Sequence, residues 1–175
     1  RNVYWHHGVR AATALYKRTV QDAIDARIVT QEDLIGRTDE GVLGLMESRA
    51  SGSDHPTARR VAERWIPALR YRRLPKRALE IPGDRLRDLP FSDWFYSRPD
   101  LRRLLEDRLA EQLDLPLGGV LIDYPEKPRM MGLDLLLLQR SGEVRRLPET
   151  GHAGLIDLPR IADGLYHSAR IFRVF

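Results

Sequence analysis

Eight basic residues crowd the stretch from Arg59 to Arg77: Arg59, Arg60, Arg64, Arg70, Arg72, Arg73, Lys76 and Arg77, with Glu63 as its single acid. Cations at that density repel one another unless solvent or an anion relieves them. Seven of the eight are arginines, and a guanidinium presents a planar fork that grips phosphate through two parallel hydrogen bonds. A second pair, Arg10 and Lys17, stands seven residues apart. That is about two helical turns, so both fall on one helical face, opposite the apolar stripe. Such a row can neutralise a polyphosphate, each charge-assisted hydrogen bond contributing about 1.5–3 kcal/mol when partly shielded. Solvated helix faces and ion-paired surface arginines are the plainer alternative for both groups. Pro67 and Pro75 bracket Tyr71 to Leu74, so the chain is expected to leave regular helix there and present Arg72 and Lys76 together.

Other chemistries find less support. The sequence has no Cys, which excludes disulfide scaffolds, thiolate zinc sites and cysteine nucleophiles. His6 and His7 are adjacent, so on a helix they point about 100° apart and cannot easily chelate one ion. Neither a Glu-x-x-His nor a His-x-x-x-His spacing accompanies them. Packing and hydrogen bonding at a helix start is their expected role. There is no Gly-rich phosphate loop, no Gly-x-Ser-x-Gly elbow and no pair of catalytic carboxylates. Asp123 and Asp134 follow apolar runs at strand positions and read as edge or turn residues.

The elements that must carry these residues are helical first. Val9, Ala12, Thr13, Tyr16, Thr19, Val20, Ala23 and Ile24 recur at spacings of three and four, one face of a helix ending near Arg27. Thr30 and Asp33 form a capping box for a short helix that Gly36 stops. Thr38 caps a helix with Asp39 and Glu40 in its first turn. Pro56 opens a further helix that Pro67 should end or kink. Ser97 and Pro99 begin a helix with Leu101, Leu104, Leu105 and Leu109 on one face. Strand signals then take over: Val120 to Tyr124, Leu133 to Gln139, and Glu143 to Leu147 behind a Ser141-Gly142 turn. A short helix at Ile161 to Tyr166 precedes a last strand, Ala169 to Phe175. The expected fold is α+β and mainly α. A helical lobe over residues 1–81 leads into a small α+β lobe, 82–175, with a mostly antiparallel sheet.

The 175 residues carry a net charge of +4, with +5 through Ile81 and −1 after it. At 42% hydrophobic residues the chain can bury a real core. Its longest apolar run, around Leu135 to Leu138, falls far short of the roughly 20 residues that span a bilayer. No signal peptide opens it. A start at Arg1, inside a helical pattern, suggests a piece of a longer soluble, cytoplasmic protein.

The opening line, Asn2-Val3-Tyr4-Trp5-His6-His7-Gly8-Val9-Arg10-Ala11-Ala12, resembles the stretch that follows the metal core in HD-superfamily metal-dependent phosphohydrolases. The similarity is to the branch of dNTP triphosphohydrolases. It continues in order through Arg37-Thr38-Asp39-Glu40, Ala62-Glu63 to Glu80 with Tyr71-Arg72-Arg73-Leu74-Pro75-Lys76-Arg77, then Val120-Leu121-Ile122-Asp123 and Ile171-Phe172-Arg173-Val174-Phe175. The resemblance implies that Arg10 contacts substrate phosphate. It implies that Arg72 and Lys76 match a pair that binds an activating nucleotide between subunits, although Pro75 replaces an aromatic residue there. The positions at which that branch places a histidine and a tyrosine near substrate hold Ala14 and Arg18, a departure from the dNTP pattern. The family's metal is held by a His, a His-Asp pair and a later Asp, all upstream, and this sequence has no His-Asp dipeptide. A divalent metal is therefore expected in the parent HD core and none on this segment, to which no catalytic residue or metal ligand is assigned.

The implied whole is a hydrolase that directs metal-activated water at a nucleotide or other phosphoester, forms homo-oligomers and keeps off membranes. This segment would supply Arg10 and Lys17 for phosphate, Arg72 and Lys76 for an anion at an interface, a pocket wall and an oligomer surface. A competing expectation is a non-catalytic nucleic-acid or nucleotide-binding module using Arg59 to Arg77, with only Trp65 and Tyr71 to stack on bases. A third is a structural domain packed on its own HD core.

Overall fold

Small and apolar side chains at three- and four-residue spacings bury one face of α1 (His7–Asp25), with Ala11, Ala14, Leu15, Thr19 and Ala23 turned inward. The structure, a computed structural model, describes residues 6–86, 94–95, 97–124, 136–138, 140–148, 150–152 and 156–175. The chain divides into two units. One comprises Arg1–Leu79, Arg98–Asp123 and Arg173–Phe175, the other Glu80–Ser97 and Tyr124–Phe172.

In the first unit α1 is followed by a 3-10 turn (Glu32–Leu34), α2 (Asp39–Ala50) and α3 (Pro56–Arg59). A π-helical turn (Arg60–Trp65), α4 (Ile66–Arg70) and α5 (Pro99–Gln112) complete its helices. The caps are as the sequence spells them. Thr30 N–H donates to Asp33 at 2.9 Å and Asp33 N–H returns to Thr30 Oγ1 at 3.4 Å. The Arg49 guanidinium, then the Thr30 amide, hold the Asp33 carboxyl down to about 2. Thr38 accepts the Gly41 N–H at 3.2 Å. Leu15, Met46, Val61, Trp65, Ile66, Leu121 and Phe175 pack together as the core. Burying a side chain of that size stabilises by roughly 1.5–3 kcal/mol.

Two local expectations need comment. Of the two outcomes expected at Pro67, an end or a kink, the helix does not end, but its regular α winding is interrupted by a π-helical turn just before the proline. The π-helical turn shifts the register, so that Ile66 N–H reaches Val61 C=O five residues back. Pro67 then falls in the first turn of α4, where a missing N–H leaves no bond unmade. On α5 the leucines are not the buried stripe: Leu104 is 54% exposed, and the buried residues are Glu106 and Ala110. An acid occupies the inward face because a buried arginine on α1 requires it, as described below.

The second unit holds a 3-10 turn (Gly83–Leu86), β3 (Leu136–Leu138), β4 (Val144–Arg146), β5 (Gly151–His152), β6 (Ile156–Asp157) and α6 (Leu158–Ala169). β3 and β4 pair antiparallel with Leu137 opposite Arg145, the hairpin signalled by Ser141-Gly142. Residues 133–135 and 139 of the expected strand lie outside the described residues, as does Asp134. Asp157 caps α6 by accepting the Arg160 N–H at 3.1 Å. Phe95, Tyr124 and Phe172 meet edge to face at centroid separations of 6.1–6.4 Å.

β7 (Ile171–Val174) is the middle strand of a three-stranded sheet in the order β1 (Leu79–Pro82), β7, β2 (Ile122–Asp123). It runs antiparallel to β2, with Ile122 opposite Val174 and Asp123 opposite Arg173. The fold is α+β and mainly α, with small antiparallel sheets. Among the described residues no helix is long and apolar enough to cross a membrane.

Candidate functional site

The first turn of α1 and the edge strand β2 bring two residues 113 positions apart into one ion pair. His6 caps α1, its Nδ1 accepting the Gly8 N–H at 3.2 Å, and Arg10 follows one turn later. Arg10 Nε donates to Asp123 Oδ2 at 2.8 Å, and Nη2 donates to Oδ1 at 2.5 Å. Both side chains are largely shielded, at 15% and 6% exposure. Asp123 does stand on an edge strand, yet its carboxylate is buried rather than solvated.

Two turns along α1, Lys17 keeps a solvent-exposed side chain. Partial desolvation first, then repulsion from Arg10 and Arg102, lower its pKa below the usual lysine value, and the Asp123 carboxylate pulls it partly back. Arg10 and Lys17 are thus electrostatic neighbours with Asp123 as their shared counter-charge. Any anion arriving there relieves a repulsion already present.

Arg18, one residue on, has a different task. It is buried, and its donors are divided among Asp22 (2.9 Å), Glu106 (2.9 Å) and both oxygens of Asp107 (2.7 and 3.0 Å). Its guanidinium carbon lies 5.7 Å from the Trp65 ring centroid. The second oxygen of Glu106 accepts the Ile122 N–H at 2.8 Å. Burial raises the Glu106 carboxyl above its ordinary value, with the Ile122 amide and Arg18 opposing. Nothing in the local sequence announced this network. The one available signal was Arg18 and Asp22, a charged i,i+4 pair.

The Arg59 to Arg77 cluster separates into paired and open members. Arg59 pairs with Asp54, Arg60 with Asp22, and Arg70 with both Glu40 and Glu47. Arg60 also lies over the Trp65 ring at 5.0 Å. After α4 ends at Arg70, Arg72 adopts φ 54° and the Arg73 N–H closes back on Ala68 C=O at 2.9 Å. Arg72 and Lys76 are exposed, and no ion pair to an acid engages either of them among the described residues. Tyr71, 71% exposed, has the Arg73 guanidinium 5.7 Å from its ring. Arg10 and Lys17 are thus brought together electrostatically, whereas Arg72 and Lys76 are each simply exposed on the first unit.

His6 spends one ring nitrogen on its cap, and its ring lies 4.2 Å from that of His7. Among the described residues no three His, Asp or Glu side chains converge in a way that could hold a metal ion.

Residues 1–153 match the family described as HD associated region. Neither a curated protein nor a solved structure matches the chain.

Proposed function

The chain belongs to the HD-associated region family, which links it to HD-domain proteins, and we propose that it is the C-terminal part of an HD-type metal-dependent phosphohydrolase. The substrate class is a nucleotide or another phosphoester, within the dNTP triphosphohydrolase-like branch, and the whole is a cytoplasmic homo-oligomer. The observation that carries this reading is the Arg10–Lys17 pair. Two cations are close enough for one to depress the pKa of the other, with one shared carboxylate. Arg10 binds a phosphate oxygen, and Lys17 offsets charge that builds up as the phosphoryl group reacts. The described residues of this chain do not fit a divalent metal. In this reading the metal belongs to the HD core, and no step performed here passes through it.

Substituting Arg10→Ala in the full-length protein is expected to lower hydrolysis of nucleoside triphosphates about ten- to hundredfold, the equivalent of one charge-assisted contact. Because the change also strips Asp123 of its partner, activity is read well below the variant's own melting midpoint. Unchanged kinetics would reduce Arg10 to a structural ion pair.

Arg72 and Lys76 form, in this reading, an anion site at a subunit interface, since both are exposed and neither is paired with an acid among the described residues. Added dNTP or GTP is expected to raise both the assembly state and the activity of the full-length protein, and Arg72→Ala or Lys76→Ala to abolish that response. Light scattering and turnover, each with and without nucleotide, provide the check. If nucleotide changes neither, the pair is a solvated face. The exposed Tyr71 beside Arg73 favours one second reading, a nucleic-acid or nucleotide-binding module. Single-stranded oligonucleotide binding that falls steeply with salt, without any nucleotide response, would select it.

A further inference from the structure

We propose that Asp123 is a positioning residue for Arg10, holding one edge of the guanidinium so that the other edge is aimed at phosphate; this rests on the assignment of Arg10 as a phosphate contact.

The geometry is specific. A guanidinium carries five N–H donors in a rigid plane. Asp123 takes one from Nε and one from Nη2, so the Nη1–Nη2 edge is left whole. That remaining edge is the one a phosphate can engage with two parallel bonds. No second partner holds Arg10 among the described residues. The carboxylate doing the holding sits on fixed backbone. The Ile122 N–H is bound by buried Glu106 at 2.8 Å. Leu121 exchanges both backbone hydrogen bonds with Phe175 at 2.9 Å. Asp123 also lies directly opposite Arg173 in the β2–β7 ladder, so its backbone is fixed by strand pairing. The arrangement locks a long, rotamer-rich side chain before any ligand arrives, and such preorganisation strengthens binding by removing the ordering cost.

The proposal makes a prediction opposite in sign to simple electrostatics. Neutralising Asp123 adds net positive charge beside the site, so Coulomb attraction alone would tighten anion binding. If Asp123 positions Arg10, neutralising it must weaken binding instead.

The test is calorimetric titration of the full-length protein with inorganic tripolyphosphate, comparing Asp123→Asn, Arg10→Lys, Arg10→Ala and the Asp123→Asn/Arg10→Lys pair. Thermal melts run in parallel. Asp123→Asn is expected to weaken tripolyphosphate about tenfold. Arg10→Lys should do the same, because an ammonium keeps the charge but has no second edge to aim. The double variant should be no weaker than Arg10→Lys alone, since the two changes remove one shared interaction. A folded Asp123→Asn protein that binds as tightly as the parent, or more tightly, while Arg10→Ala weakens binding, overturns the positioning role and leaves the Arg10 assignment standing. Arg10→Ala with unchanged affinity overturns both. Should Asp123→Asn fail to fold, the Arg10→Lys arm decides, and parent-like affinity there overturns the proposal.

Discussion

Replacing Gly118 by Ala is expected to lower the stability of the protein by about 2–5 kcal/mol, and Gly52→Ala by only about 1–2 kcal/mol, although both glycines have positive φ, 70° and 78°. The shared part is the cost of a left-handed backbone for a residue with a Cβ, about 1–2 kcal/mol. The difference lies in what the new methyl meets. At Gly52 nothing stands within 4 Å, whereas at Gly118 the Cβ falls far inside contact distance of Trp65 Cζ2 and 3.1 Å from Cη2. Trp65 cannot withdraw. It is 2% exposed, packed in the core of the first unit, with Arg18 and Arg60 over its ring. Overpacking of that kind costs about 1–3 kcal/mol beyond the backbone term. The Gly118 N–H also donates to Asp107 at 3.3 Å, so a shift of this turn loosens a carboxylate that serves Arg18. Urea midpoints of the two variants decide the matter. Equal losses would show that the turn, not the tryptophan, sets the requirement for glycine.

What could be read from the chain divides along the distance between interacting residues. The Thr30–Asp33 box, the Thr38 cap, Pro56 at a helix start and the Ser141-Gly142 hairpin are local, each fixed by residues within a few positions. Even Arg10 and Lys17 could be singled out, because seven-residue spacing on a helix is a local fact. Their carboxylate could not, since Asp123 is 113 residues from Arg10 and an Asp behind an apolar run has no feature marking it as buried. Glu106 is the same case, 88 residues from Arg18. It also shifted the inward face of α5, leaving Leu104 exposed and Leu101, Leu105 and Leu109 only half-buried beside Glu106 and Ala110. Leucine spacing pointed to one stripe, while the need to match a buried cation turned another stripe inward. Pro67, expected to end or kink its helix, does not end it, and for a different reason. Proline signals assume unbroken α register, and a π-helical turn just before it removes the clash.

Arg18→Met should be the other severe substitution, costing about 3–5 kcal/mol at neutral pH, the loss typical when one partner of a buried ion network is removed. Methionine fills much of the same volume against Trp65, so the loss reports charge rather than cavity. Asp22 keeps Arg60 at 3.4 Å, but Glu106 loses its guanidinium and retains the Ile122 N–H. The pH dependence identifies the group responsible. The folded-state pKa of Glu106 is raised by burial, against the Ile122 amide, Arg18 and Arg102. A raised carboxyl favours the folded state below its unfolded value of about 4.3, and that contribution disappears as pH climbs through the folded value. Without Arg18 the folded value climbs further, so the deficit relative to the parent should widen from pH 4.5 towards pH 8. The acid form of Glu106 can remain buried and neutral, whereas the carboxylate cannot. Adding Glu106→Gln to Arg18→Met keeps an acceptor for Ile122 while removing the charge, and should restore most of the stability and flatten the pH profile. Urea unfolding of the three proteins at both pH values measures this directly. A deficit that is the same at both, and that glutamine does not repair, would mean that Arg18 matters for packing on Trp65 and not for neutralising Glu106.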